Sequence, residues 1–254
     1  MKVTLYAIAK NEEKNVSKFI ETSKKFDDVV VVDTGSTDNT IQLLKDAGVK
    51  VYEHPQIRDE FDFSVARNQA LSYVETDWAF SLDFNEDLDE YFSEGLHVIS
   101  GEFTSFKHQR YDKVGDQEPT LGQVSHVRFH RTKNYTWTNA VHETPMFLPT
   151  EDFLNESSVD TTIKIIKNIQ PSIDKQLFYL SICEREYQKN SGEWYYVWFI
   201  YNSLRLYRPP PSVSPSVFAK HASRQRITAR AARGASGCRS ARIRQIRERS
   251  GKEG

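Results

Sequence analysis

Cysteine is nearly absent from the 254-residue chain: Cys183 and Cys238 stand far apart. Two such residues make neither a disulfide framework nor a thiolate zinc site, and a reducing compartment is the default expectation. No apolar run approaches the roughly 20 residues that a spanning helix needs. The richest, residues 194–201, is short and aromatic. The opening MKVTLYAIAKNEE reaches charge too soon for a secretory leader. A cytoplasmic location without a membrane span is therefore expected. Internal repeats are lacking. Acidic residues are missing between Glu193 and Glu248, and this last absence reorganises the whole charge count.

The formal net charge is −1, but it is an average of two unlike parts. Residues 1–207 carry 22 basic and 33 acidic side chains, a net of −11, while residues 208–254 carry 12 and 2, a net of +10. An acidic body of that charge is not expected to bind nucleic acid unaided. The tail begins at Arg208-Pro-Pro-Pro and runs on in Ser, Ala, Gly and Arg. Three readings fit it: a disordered basic arm making weak contact with an anionic surface, a helix over residues 239–249 docked on the acidic body, and non-native text from a shifted reading frame. The texture favours the third. Aromatics at 12% exclude disorder throughout the chain.

What is present is an alternation of strand and helix. Val3–Ala9 is a short apolar run. Residues 13–26 place Val16, Phe19 and Ile20 at helical spacing. Asp28–Asp33 contains four consecutive valines, as suits a parallel strand buried on both faces. A helix follows to about Ala47, capped by Ser36 or Thr37 and stopped by Gly48. Residues 49–52 form a third strand, residues 61–74 an amphipathic helix and residues 78–82 a fourth strand. Four alternations in 83 residues predict an α/β fold with a mostly parallel, Rossmann-like sheet flanked by helices. Further on, residues 102–111, 123–130 and 161–167 are strand candidates. Residues 174–189 and 193–206 predict a C-terminal helical extension.

Ligands of open parallel sheets bind at the carboxyl ends of the strands. Three polar clusters fall on that edge: Lys10-Asn11-Glu12, Asp33 through Asp38, and Asp83 through Asp87. Asp33 can accept from ribose hydroxyls, Asp38 from a base N–H, and Gly35 allows close backbone approach. In Asp83-Phe84-Asn85 a carboxylate, a spacer and an amide present oxygens suited to Mg²⁺ or Mn²⁺.

These segments carry a resemblance. Residues 3–90 resemble the nucleotide-binding half of a family 2 glycosyltransferase of the GT-A fold. The matching pieces are Ala9-Lys10-Asn11-Glu12-Glu13, Val32-Asp33-Thr34-Gly35-Ser36-Thr37-Asp38, Ala66-Arg67-Asn68 and Leu82-Asp83-Phe84-Asn85-Glu86. Trp137 through His142-Glu143, with Arg128-Phe129-His130-Arg131 upstream, resembles a subgroup acting in lipopolysaccharide-core and related glucosylation.

The resemblance implies inverting transfer of a hexose, glucose by analogy with the subgroup, from a UDP-sugar to a hydroxyl acceptor. It places the donor nucleotide against Ala9, Asn11, Glu12, Asp33, Gly35, Asp38, Arg67 and Asp83. It gives the metal, Mn²⁺ or Mg²⁺, to Asp83, Asn85 and His142, and the donor sugar to Glu86. The catalytic base is Glu143, with Asp87 and Asp116 behind it, and His142 alternatively binds the diphosphate. It divides the chain into a nucleotide-sugar half (1–100), an acceptor half (101–170), the helical extension (171–207) and the tail (208–254).

One departure matters: the family's Asp-x-Asp has Asn85 at its third position. Weaker metal binding or lost catalysis would follow, so a binding protein that no longer transfers is a rival reading. A nucleotidyltransferase is another, although its glycine-rich first loop is missing.

Several residues keep two readings. Arg67 either reaches the phosphates or pairs with Asp62 or a neighbour on its helix. Asn68 either belongs to the site or bonds nearby backbone. The alternating His126, Arg128, His130 and Arg131 read as a solvated face in preference to an anion site. Trp194, Tyr195, Trp198 and Phe199 read as core in preference to an acceptor platform, and Cys183 reads as a buried helix residue.

Overall fold

A computed structural model describes residues 1–89, 92, 103–170 and 172–189. The helix at 193–206, its aromatic stripe and the basic tail lie outside the described residues. The chain divides into two compact units, residues 1–171 and 172–254. In the second, helix α4 (Ile173–Lys189) is described, and Cys183 is buried as expected.

The first unit is built on an eight-stranded mixed sheet, in the order β3-β2-β1-β4-β7-β6-β10-β5. Strands β1 (Val3–Ala9), β2 (Asp28–Asp33), β3 (Lys50–Glu53) and β4 (Trp78–Ser81) form its parallel half. Strand β5 is Glu86–Leu88, β6 is Ser105–Val114, β7 is Thr120–Arg131 and β10 is Ser158–Ile169. Of these, β7 is antiparallel to both β4 and β6, β10 runs parallel to β6, and β5 runs antiparallel to β10. A separate two-stranded ribbon pairs β8 (Tyr135–Thr138) with β9 (Thr144–Phe147).

The parallel half is covered on both faces, and its strands show why. Successive side chains alternate across a strand. On β1, Val3, Leu5, Ala7 and Ala9 join the core containing Val16 and Phe19 of helix α1 (Glu13–Ser23) and Leu44 of helix α2 (Thr40–Asp46). Tyr6 joins the opposite core, with Val30, Val32 and Ala70 and Leu71 of helix α3 (Phe63–Ser72). Both cores need apolar residues, so β2 reads as an unbroken valine run.

Two local expectations change. Helix α2 starts at Thr40, with Asn39 at its N-cap and no side-chain capping bond there. Ser36 is spent one turn earlier, donating to Asp33 Oδ2 at 2.5 Å and accepting from Asn11 N at 2.8 Å. Nor do Arg128, His130 and Arg131 form a solvated face: Arg128 and His130 are buried, and the Arg131 guanidinium packs between the rings of Trp78 and Phe153. The side chain of His126 lies outside the described set.

Tyr6 links the two halves of the sheet to the ribbon. Its hydroxyl accepts from Trp137 Nε1 at 2.7 Å and shares a 2.9 Å hydrogen bond with His130 Nε2. Burial holds His130 down at about 4 and, with the nearby Arg128 charge, holds His108 at about 3.

Both rings stay neutral in the fold where the unfolded chain would protonate them. Their contribution is complete above the unfolded pKa of about 6.5 and is lost as pH falls toward the folded values, at up to about 1.4 kcal/mol per histidine per pH unit. The urea midpoint should therefore drop between pH 7 and pH 5. A double His108→Gln, His130→Gln variant should flatten that slope whatever its absolute stability. A slope equal to the parent's would contradict the assignment.

Candidate functional site

The three strand-end clusters do share one edge, because β1, β2 and β4 are parallel neighbours. Two of them lock together. Asn11, at φ +56°, accepts from Thr37 N through Oδ1 at 2.7 Å. Glu12 N donates to Thr40 Oγ1, and Glu13 N donates to Asp38 Oδ2. Asp38 Oδ1 accepts from Thr40 N, and Asp33 Oδ1 from the N–H groups of Gly35 and Ser36. The Ala9 carbonyl accepts from Thr34 N at 2.9 Å.

These residues first of all build the rim. Asp33 is buried and holds its own turn, a nearer task than meeting a ribose. Asp38 likewise holds the start of α2. Gly35 takes φ +110°, which L side chains rarely adopt, and a β-carbon added there would meet Pro55.

The third cluster is the chemical centre. Arg67, on α3, is buried and donates three ways: Nε to Glu143 Oε1 at 2.7 Å, one terminal nitrogen to Ser81 Oγ at 3.1 Å, and the other to Asp83 Oδ1 at 2.6 Å. Its guanidinium also stands 5.0 Å from the Trp137 ring centre. Arg128 donates to Glu86 Oε1 at 2.9 Å and lies 3.6 Å from Asp83 Oδ2. Lys167 Nζ donates to Asp83 Oδ2 at 2.9 Å and to Glu86 Oε1 at 3.3 Å. Three cations thus meet three carboxylates.

Accessibility divides the six. The side chains of Arg67, Arg128 and Glu86 are 4%, 4% and 0% exposed, and those of Asp83, Glu143 and Lys167 are 20%, 15% and 24%. The sealed members position the others, and only the open members can touch a ligand. Glu86, expected at the donor sugar, is instead enclosed: it accepts from Arg128, Lys167 and the Asp83 N–H. Arg67, expected to reach the nucleotide, is enclosed as well. It pairs with Asp83 and Glu143, while Asp62 caps its helix by accepting from Val65 N.

The ribbon is aimed by the residue after Arg67. Asn68 Oδ1 accepts from Trp137 N at 2.7 Å, and its Nδ2 donates to the Trp137 carbonyl at 2.9 Å. Phe63 N, in the first turn of α3, donates to the Ala140 carbonyl. Between β8 and β9 the backbone takes φ +70° at Asn139 and +53° at His142. That turn sends Glu143 inward to Arg67 and leaves His142 exposed at the rim.

Charge sets the protonation states. Burial would raise the Asp83 carboxyl, but Arg67, Lys167 and Arg128 outweigh it and hold it well below the usual range. Glu143 behaves alike: burial raises it, Arg67 lowers it more, and it ends below its ordinary value. Burial disfavours charge on Lys167, yet Asp83 and Glu86 raise it overall. All three are ionised at neutral pH.

The expected metal set, Asp83, Asn85 and His142, pairs two side chains of the His, Cys, Asp and Glu type with one amide. No group of three His, Cys, Asp or Glu side chains able to hold a metal occurs among the described residues. Both Asp83 oxygens face cations. Asn85 turns its side-chain amide nitrogen to the Asn168 carbonyl at 2.9 Å, and its backbone carbonyl accepts from Asn168 N at 2.8 Å. Asp87, a reserve base, pairs with Lys18 and Asn168, and Asp116 sits in the exposed β6–β7 turn.

Lys167 is the residue that sequence reading missed. It ends an apolar strand run, and only the pairing of β10 with β5 sets it opposite Glu86.

Residues 4–144 match the model of glycosyl transferase family 2. The chain belongs to that family. As a family 2 glycosyltransferase it is 26% identical to an uncharacterized glycosyltransferase of Rickettsia typhi, over 61% of this chain and 56% of that one. It is 33% identical to the SPbeta prophage-derived glycosyltransferase SunS of Bacillus subtilis, over 32% of this chain and 19% of that one. The chain spans about half the length of the Rickettsia relatives. Among solved structures it is similar to S. aureus TarS residues 1–349 in complex with UDP: 16% identity, TM-score 0.47, 80% of this chain and 71% of that one. Among the described residues no helix is long and apolar enough to cross a membrane.

Removing the buried guanidinium should strand Glu143 and leave Asp83 with Lys167 and Arg128 alone. Arg67→Met should cost about 3–5 kcal/mol in urea unfolding. Arg67→Lys should recover little, because one ammonium does not span three separate partners. A loss below about 1 kcal/mol for Arg67→Met, the level of an exposed pair, would contradict the buried-hub assignment.

Proposed function

We propose that the protein transfers a hexose from a UDP-sugar to a hydroxyl acceptor with inversion at the anomeric carbon. The observation that carries this reading is the cluster of Asp83, Glu143 and Lys167. They are three ionised and partly open side chains at the carboxyl edge of a sheet whose family transfers sugars. The interlocked rim from Asn11 to Asp38 stands at the same edge, where a nucleotide would lie.

The step is a single displacement. The acceptor oxygen forms a bond to the anomeric carbon as the bond from that carbon to the diphosphate oxygen breaks. The electron pair leaves with UDP, and the acceptor proton passes to Glu143. Three features suit this chain to the task. Glu143 is ionised, as a base must be, and Arg67 fixes its orientation. Lys167, whose ammonium is held at Asp83, is the partly open positive charge that would offset the negative charge collecting on the leaving group. Asp83 is held by Arg67 on one oxygen and meets the Lys167 ammonium with the other at its open edge. The divalent ion implied by the resemblance would be held by Asp83 and the Asn85 amide oxygen together with the donor diphosphate, and no step is routed through it.

The rival binding-only reading rests on Asn85, and turnover separates the two. UDP release should appear when the purified chain is given UDP-hexoses with simple saccharide acceptors. Glu143→Gln keeps the carbonyl that Arg67 bonds, so UDP affinity should stay within about threefold while turnover falls by about 10²–10⁴-fold. Because Arg67 lowers the Glu143 carboxyl, the acid limb of kcat/KM should lie below the ordinary glutamate range. Unchanged turnover in Glu143→Gln would remove Glu143 as the base. UDP binding without any UDP-sugar turnover would favour the binding protein.

A further inference from the structure

We propose that Lys167 is the cation that holds the donor diphosphate, and that this protein therefore binds its nucleotide without a divalent metal. The inference rests on the nucleotide-sugar reading above and goes further by naming the group that offsets the phosphate charge.

The register of β10 positions the lysine. Pairing with β5 sets Lys167 opposite Glu86, and the next position is locked by three bonds between Asn168 and Asn85. The ammonium is thereby brought to 2.9 Å from Asp83 Oδ2 and 3.3 Å from Glu86 Oε1. A divalent ion bound by Asp83 would need that same oxygen. Its other oxygen is taken by Arg67 at 2.6 Å.

The next expected ligand brings no charge. Asn85 is an amide, and its nitrogen is tied to the β10 backbone. Mg²⁺ is usually held by one or two carboxylates together with substrate phosphates and waters, and here the motif offers one carboxylate, whose two oxygens both meet cations. Among the described residues, the carboxylates of Asp83, Glu86 and Glu143 are already paired with Arg67, Arg128 and Lys167.

Lys167 differs from the two arginines in being able to respond. Their side chains are sealed, whereas the lysine is partly open on a flexible four-carbon stem. Lysine binds phosphate as a point charge and does not need a fixed fork. On donor binding, its ammonium can engage phosphate oxygens while Arg67 and Arg128 keep Asp83 and Glu86 paired. The same charge then faces the departing diphosphate.

The test is calorimetric titration of the full chain with UDP in EDTA and again in excess Mn²⁺. Affinity should agree within about threefold between the two. Lys167→Met should weaken binding in EDTA by about tenfold or more, equivalent to at least about 1.4 kcal/mol. Lys167→Arg should restore most of that loss, and melting curves should show both variants folded. UDP binding that appears only with Mn²⁺, or a folded Lys167→Met that binds like the parent in EDTA, would overturn the role of Lys167 and leave the sugar-transfer reading intact. Failure of UDP to bind under either condition would overturn that reading itself.

Discussion

A buried guanidinium organises this protein. Arg67 bonds Glu143, Ser81 and Asp83 at once, and so joins helix α3, the end of β4 and the loop between β8 and β9. A charge so enclosed is tolerable only when every donor finds a strong acceptor. The arginine fork, flat and always protonated, supplies the right geometry. Its neighbour Asn68 pins the ribbon that brings Glu143 into range. Two adjacent helix residues thus set the position of a third, more than seventy positions later in the chain.

Buried ion pairs seldom add much net stability over apolar packing. Their presence here is better explained by position. Arg67, Arg128 and Glu86 are sealed, and what they hold is a partly open trio of opposite charges facing the strand-end edge. Such an arrangement keeps Asp83 and Glu143 ionised despite their burial and holds the Lys167 ammonium against Asp83 and Glu86. Fixed charges of this kind need no reorganisation when a reacting bond develops its own.

Much of this was legible in the sequence, and the reasons differ by element. Strands β1, β2 and β4 are covered on both faces and read as apolar runs. The polar clusters at their ends follow from the parallel order. Period-two alternation marked the strand that holds Arg128 and His130, but alternation alone does not say which face is covered. Both residues proved buried, one by ion pairs and the other by Tyr6. Strand β5 has three residues, too few for any period to show. Lys167 was invisible for a related reason: its partner is chosen by the register of β10 against that short strand, a non-local fact. The capping expectation at Ser36 failed because Asp33 and Asn11 claim its hydroxyl first.

The central claim is that Arg67 and Asp83 act as one buried unit on which the rest of the site is set. A double-mutant cycle in urea unfolding, using Arg67→Met, Asp83→Asn and the pair together, measures this directly. The expected coupling is about 2 kcal/mol or more, because each single change strands a partner that the double change removes. Additive losses, with coupling near zero, would contradict the claim.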